Sequence, residues 1–402
     1  MYIQESGKKS RPSRLPWDKM NVLKDADIIC FSHDWTGDPL SKTHIIRILA
    51  RRNRILWVNA LANRAPTASR KDLLRTLDKL KAFAIDRLFQ AEPNIFVLNP
   101  LAFPSYGSET IRNINRIILQ YQLKQAIKRL KFKNPINLIF NPAAGLLARK
   151  LGESLLVYYC VDEYSAFTGA VKGLKQIEED LCKESDFVVV SAQKLLESKS
   201  KFNENTFLIR HGVDWNHFRQ AINSAQLPEE IKNLPRPIIG FHGLLADWID
   251  YELIKKIAEH FKGASIVLIG KVTIEAEALV ENIKLHENIH LLGRKPYADL
   301  PIFCAGFDVA INPFIINELT LAANPLKVRE YMAAGLQTVS TDIPEVRDFK
   351  YCLVARDHRD FIEKLDYALH HPVSREEISD SVKTESWDSK VAQLEKLLVK
   401  FL

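Results

Sequence analysis

Short apolar runs recur along the chain, separated by longer stretches in which apolar residues return every three or four positions. The runs are rich in aliphatic and aromatic residues and do not alternate with polar ones, the pattern of strands covered on both faces in a parallel sheet. In the first half they fall at Asp27–His33, Arg54–Leu61, Asn94–Leu101, Asn137–Asn141, Leu155–Asp162, Phe187–Ser191 and Thr206–Arg210. The stretches between them, among them Pro39–Arg52, Arg70–Phe89 and a long segment after Thr110, have helical spacing. Strand and helix in alternation predict right-handed βαβ units wound about a parallel sheet.

The rhythm stops between 211 and 236, where Pro228 and Pro235 fall in a polar stretch, and then restarts. Strands are predicted at Pro237–Gly243, Ala264–Gly270, Ile289–Gly293, Phe307–Phe314 and Gln337–Thr341. Helices are predicted at Tyr251–Phe261, Ile274–Ile283, Tyr297–Ala305 and Pro325–Gly335. The expected fold class is α/β, with two Rossmann-like doubly wound domains facing a cleft. The expected boundaries are a basic tail over 1–25, an acceptor-side domain over 26–212, a linker over 213–236, a nucleotide-binding domain over 237–385 and a final amphipathic helix over 386–402. That helix could pack back across the hinge. Open α/β sheets bind ligands beyond the carboxyl ends of their strands, so the loops after each strand are the places to look for chemistry.

The chain has 402 residues, 47% hydrophobic and 26% charged, enough for two buried cores and unlike a disordered or coiled-coil protein. No apolar run approaches the roughly 18–20 residues of a membrane span. Met1–Lys19 is polar and basic and lacks the apolar core of a signal peptide, so a cytoplasmic location is expected. Five scattered cysteines without a CxxC pair predict reduced, buried thiols and no zinc site. The net charge of +7 divides unevenly. Residues 1–210 carry 34 Lys and Arg against 21 Asp and Glu, a net of +13, whereas residues 211–402 carry 22 against 28, a net of −6. A single basic half implies that this half faces something anionic. Between Thr110 and Gly152 nine residues are basic and none is acidic, and apolar residues run through the same helix. A basic amphipathic helix suits the inner face of an anionic membrane, although an ordinary helix with a solvated Lys/Arg face would read the same way. Basic–aromatic interleaving is absent, so nucleic acid is not an expected partner.

The stretch Asn312–Glu345 is the richest in candidate chemistry. Asn324-Pro325 opens a helix with Pro at its first position, where the missing N–H costs nothing. The helix start favours an anion. Lys327 lies in the first turn and Glu330 three residues on, so the two share a face. An ordinary surface ion pair would have the same spacing. The run Asn324–Val339, with Pro325-x-Lys327-x-x-Glu330-Tyr331 and Ala333-Ala334-Gly335, resembles the C-terminal signature of GT-B glycosyltransferases, in particular the retaining, nucleotide-sugar-dependent group called family 4 that builds bacterial surface polysaccharides. Gly270-Lys271, Leu292-Gly293-Arg294, Arg210-His211-Gly212-Val213-Asp214 and Ser340–Glu345 match in the expected order, so the resemblance covers most of the chain.

That resemblance implies a sugar transfer from a nucleoside-diphosphate donor, UDP in preference to GDP, with no cofactor or metal besides the nucleotide sugar as co-substrate. Glu330 corresponds to the second Glu of an E-x7-E motif, which holds the donor ribose. The first Glu falls on Ala322, a departure, and Glu318 four residues earlier is offered in its place. Lys271 and Lys327 are candidates for the diphosphate, Gly243 for close backbone approach to it, Arg294 for the nucleobase rim, and Asn324 for the helix start. The family's usual Arg after the first C-domain strand is absent; this chain reads His242-Gly243. On the acceptor side, the loop after the first strand offers His33, Asp34, Trp35, Gly37, Asp38, Lys42 and His44. Asp162, after the LLVYYC strand, matches a family Asp near the anomeric carbon and could orient the sugar or take the acceptor proton. His33 and Asp34 are the further catalytic candidates, and His211 is read as structural. The acceptor is expected to be lipid-linked or an oligosaccharide. A UDP-sugar epimerase of the same fold and a nucleotide-sugar-binding protein without transferase activity remain alternatives. A dehydrogenase is not expected without a GxGxxG fingerprint, and a glycoside hydrolase is rejected for lack of any hydrolase motif.

Overall fold

The computed structural model describes residues 22–60, 87–103, 108–169, 173–224 and 226–402. Two sheets carry the architecture. The first has eight strands: β1 (Asp27–Phe31), β2 (Arg54–Val58), β3 (Leu88–Glu92), β4 (Ile95–Leu98), β5 (Ile136–Ile139), β6 (Leu155–Cys160), β7 (Phe187–Val190) and β8 (Thr206–Leu208). They lie in the order β3-β4-β2-β1-β5-β6-β7-β8. The second has six: β9 (Ile238–His242), β10 (Ser265–Ile269), β11 (Ile289–Gly293), β12 (Val309–Asn312), β13 (Thr338–Thr341) and β14 (Cys352–Ala355), in the order β11-β10-β9-β12-β13-β14. All paired neighbours are parallel except β3 and β4. The longer helices are α1 (Ser41–Leu49), α2 (Glu109–Leu130), α3 (Leu174–Glu184), α4 (Gln193–Lys199), α5 (Tyr251–His260), α6 (Glu277–Ile283), α7 (Leu300–Gly306), α8 (Leu326–Ala333), α9 (His358–His370), α10 (Arg375–Ser381) and α11 (Trp387–Phe401).

Both sheets are doubly wound, as expected. The strand order reverses beside β1 in the first and beside β9 in the second, and such switch points open a crevice at the carboxyl edge. The loops after β1 and β5, and those after β9 and β12, therefore line the places where ligands bind. The strands of β1, β5, β6, β7, β9, β10 and β12 are buried along their full length, which explains their unbroken apolar runs.

Two expectations are corrected. The segment Arg70–Phe89 was expected to be one helix. Its residues 70–86 lie outside the described residues, as does the basic tail through 21, but Leu88 and Phe89 belong to β3. Asn94 takes φ +64°, which lets the chain reverse tightly and pairs β3 with β4. The helix expected from Pro325 begins at Leu326, with Pro325 in extended conformation as its cap. The edge strand β14 and helix α9 beyond it were not anticipated, because β14 spans four residues, two of them half-buried.

The chain crosses between the domains twice, side by side. Val213 N–H donates to Glu385 O at 2.9 Å, and Val213 bridges Ser386 in parallel. After this second crossing α11 returns to the first domain, where Trp387, Val391, Leu394 and Leu398 join its core. Ser386 caps α11 through its hydroxyl, which accepts from Ser389 N–H. A Cβ at Gly212 would lie 2.7 Å from the Trp387 nitrogen and 2.8 Å from its Cα. Both atoms are backbone, so the crossing itself must shift. We predict that Gly212→Ala destabilises the protein by about 2–3 kcal/mol, read as a lower midpoint in urea unfolding.

Candidate functional site

Strand β9 ends at His242-Gly243, and Gly243 has φ +154°. Its carbonyl packs so tightly on Gly270 that a Cβ there would lie 1.7 Å from the Gly243 oxygen. Two strand-end loops thus meet through bare backbone. The Lys327 stem passes the same spot, its Cε 3.8 Å from where a Cβ on Gly243 would be. Lys327 Nζ donates to Glu330 Oε2 at 2.9 Å, and the Glu330 side chain is buried. His242 Nδ1 stands 3.9 Å from the same oxygen. Tyr331, the next residue of α8, fixes this geometry: its hydroxyl donates to His242 O at 3.0 Å and accepts from His242 N–H at 2.8 Å. Strand end and helix are fastened by one phenol.

His242 was not among the candidates. It is buried, and neither ring nitrogen has a hydrogen-bond partner among the described residues. Burial, with the Lys327 ammonium, holds its pKa well below the ordinary value, so the ring is neutral at pH 7. A buried polar group without a partner costs about 1–3 kcal/mol, so an imidazole facing a carboxylate and an ammonium in this way is a place for a polar ligand. The signal was a histidine at the end of the strand beside the switch point. Tyr297 was also missed. It stacks on His217 at 4.6 Å, and burial, with Glu330 and Asp214 nearby, raises its phenol pKa.

On the opposite wall, Lys42 Nζ donates to the Tyr164 hydroxyl at 2.9 Å, joining the start of α1 to the loop after β6. Asp162 lies in that loop. Burial raises its pKa and Lys42 partly offsets the rise; burial lowers Lys42, which Asp162 opposes. Lys42, Asp162 and Tyr164 therefore form a second polar cluster. His33 touches its edge, but both ring nitrogens are engaged, with Ser32 Oγ at 3.0 Å and Thr43 Oγ1 at 3.3 Å. Asp34 is exposed and accepts from Ala60 N–H at 3.2 Å. Trp35 packs edge-on against Trp57 with ring centroids 4.9 Å apart. Gly37 has φ +138° with open space around it. His44 stacks on Trp387 at 5.5 Å, close to Tyr297 at 5.8 Å.

The two walls touch at the mouth, where the Arg294 guanidinium forks Asp38 with two bonds of 2.8 Å. Lys271 follows Gly270 and is exposed. Two candidates are placed elsewhere. Asn324 is buried, and its side chain bonds to Ser191, Arg329 and Glu345. Glu318 lines a separate cavity of about 210 Å³ with Glu163, Lys175 and Lys199. Ala322 is buried against the core of the first domain, so this position offers the cleft no carboxylate. The five cysteines are free and buried, as expected.

Residues 236–371 match the model of the family described as glycosyl transferases group 1. The sucrose-phosphate synthase of Thermosynechococcus elongatus superposes with a TM-score of 0.70 at 13% identity, over 93% of this chain and 98% of that one. HepE of Anabaena, solved with UDP and glucose, superposes with a TM-score of 0.64 at 13% identity, over 92% of this chain and 99% of its own. In sequence the chain is 20% identical over 278 residues to TuaH of Bacillus subtilis (strain 168), a glycosyltransferase named for teichuronic acid biosynthesis, covering 63% of this chain and 69% of that protein. The chain has the GT-B fold and carries a glycosyl transferases group 1 domain. In this glycosyltransferase the matched region holds Gly243, Lys271, Arg294, Lys327 and Glu330, and the acceptor-side residues lie outside it.

The buried imidazole of His211 and the half-buried ones of His33 and His44 predict a loss of stability in acid. Burial holds His211 at about 3, and His33 and His44 at about 4, against about 6.5 in an unfolded chain. Below pH 6.5 the unfolded state binds protons that the folded state refuses, so stability falls as pH drops toward 4. For His211 alone the loss at pH 5 is about 2 kcal/mol. We predict that the midpoint of unfolding falls between pH 7 and pH 5, and that His211→Asn flattens this fall; a pH-independent midpoint would contradict it.

Proposed function

We propose that the glycosyltransferase moves a sugar from a nucleoside-diphosphate donor, UDP in preference to GDP, to a lipid-linked or oligosaccharide acceptor of a surface polysaccharide, with retention at the anomeric carbon. The observation that carries the donor reading is the meeting of Lys327, Glu330, Gly243 and neutral His242 at the switch point of the second sheet. In this reading Glu330 accepts from the ribose hydroxyls. Lys327 and the start of α8 face the diphosphate, and Lys271 adds a second cation from the neighbouring loop. Negative charge grows on the leaving diphosphate, and fixed cations stabilise it without reorganising. Arg294 guards the nucleobase rim. Across the cleft, Asp162 orients the sugar or takes the acceptor proton, with Lys42 holding it toward the ionised form. No cofactor beyond the co-substrate is called for. UDP in the HepE structure and teichuronic acid biosynthesis in TuaH's name support these choices; retention is what the resemblance to family 4 implies.

Calorimetric titration with UDP and GDP tests the donor. We expect UDP to bind more tightly than GDP, and Glu330→Ala to weaken UDP binding about tenfold or more, near 1.4 kcal/mol. Equal binding by the variant would remove Glu330 from the site.

The acceptor reading extends to an anionic membrane surface on the cytoplasmic side. No helix among the described residues is long and apolar enough to cross a membrane. Helix α2, however, presents Ile114, Ile117 and Tyr121 at 41%, 64% and 66% exposure, along one face. Lys124 and Lys128, both exposed, continue that face. Apolar residues that end in lysines suit the boundary between acyl chains and anionic headgroups. We expect flotation with vesicles containing phosphatidylglycerol and not with purely zwitterionic ones, lost on Lys124→Glu with Lys128→Glu. Flotation indifferent to anionic lipid would refute the surface.

A further inference from the structure

Asn324 immediately precedes Pro325 and α8, yet its polar groups point away from the cleft. Its Nδ2 donates to Ser191 O at 2.5 Å, beyond the end of β7 in the first domain. Its Oδ1 accepts from Arg329 Nη1 at 2.5 Å, and its own carbonyl pairs with His211 Nδ1 at 3.1 Å. Glu345, in the turn after β13, makes a matching set. One oxygen accepts from Gln193 N–H at 2.6 Å, and the other from Arg210 Nε at 2.6 Å and from Asn324 Nδ2 at 3.4 Å. Gln193 opens α4, so Glu345 satisfies one of the donors that a helix start leaves without an internal partner. A residue of the second domain thus caps a helix of the first.

Both residues are buried, Asn324 at 4% and Glu345 at 7% exposure. Parting the domains would take from Glu345 its two 2.6 Å donors, and from Ser191 O and Gln193 N–H their acceptor or donor. A buried carboxylate stripped of its partners is strongly unfavourable, so these contacts are made together or exchanged together for water. Arg329 carries the joint into α8. It is 1% exposed, and it is the residue before Glu330.

We propose that Asn324 and Glu345 are positioning residues that latch the donor-side helix α8 to the first domain, so that the wall bearing Lys327 and Glu330 meets the Lys42–Asp162 wall only when the cleft is closed. The role in positioning rests on the donor reading above; the latch itself does not. It is a device for coupling two sites: whatever binds against α8 favours closure, and closure favours that binding by the same factor.

The test uses the full chain and three variants: Glu345→Gln, Asn324→Ala and Arg210→Gln. The last acts on a side chain that is 41% exposed, so it reports on the same contact should the buried variants fail to fold. Small-angle scattering and amide hydrogen exchange are measured without ligand, and UDP binding by calorimetry. We expect folded variants with a larger radius of gyration, exchange at Gln193 at least about tenfold faster, and a UDP dissociation constant raised about fivefold or more. Unchanged scattering and exchange in folded variants would overturn the latch. An opened variant that binds UDP as tightly as the unaltered protein would overturn the positioning role. If the unaltered protein binds no nucleotide, the donor reading and the positioning role fall together, while scattering and exchange still decide the latch.

Discussion

The domain arrangement depends on where a buried carboxylate finds its partners. Glu345 lies in the second domain, but its two shortest hydrogen bonds come from the first, from Gln193 and Arg210. Neither domain alone supplies a satisfied environment for it, and an unpaired charge in that position would cost several kcal/mol. The closed cleft is thus the state in which this charge is neutralised. At the mouth, Arg294 and Asp38 add a link of a different kind. Both are well exposed, so the contribution is small and screened by salt. The deep contact fixes the geometry, and the exposed one sits where substrates must pass.

The closed arrangement brings chemically unlike walls together. One offers an ammonium, a buried carboxylate and a neutral imidazole around a glycine whose backbone meets the neighbouring strand-end loop. The other offers a lysine held by a tyrosine, with a half-buried aspartate whose ionisation that lysine supports. Cation and carboxylate on one wall suit a diphosphate and a ribose; the carboxylate on the other suits a hydroxyl group. The sheets supply this division of labour, because each switch point opens toward the other domain.

Much of this was legible in the chain, and the reasons differ by residue. The parallel strands are buried on both faces, so their apolar runs declare them. β3 escaped because it is exposed at Phe89 and Gln90 and pairs antiparallel after a two-residue turn, a contact that no periodicity records. The spacing of Lys327 and Glu330 placed both on one face of a helix, and the structure joins them. Asn324 could be located at a helix start but not in the domain joint, since its partners lie at Ser191 and Glu345, far away in sequence. His242 was visible only as a replacement for an expected arginine. Its significance comes from two ring nitrogens left without partners among the described residues, and burial is a property of the folded chain.

Helix α11 belongs to the core of a domain whose first strand begins at Asp27, although the whole second sheet intervenes. During synthesis, chains are expected to fold domain by domain from the N-terminal end. This one cannot. Until Trp387 through Leu398 has left the ribosome, the surface beneath α11 has nothing to cover it, and the nascent first domain carries an open apolar seam. The second domain meets no such delay, since its strands and helices are all made before α11. The half that is translated first is therefore the half that is completed last.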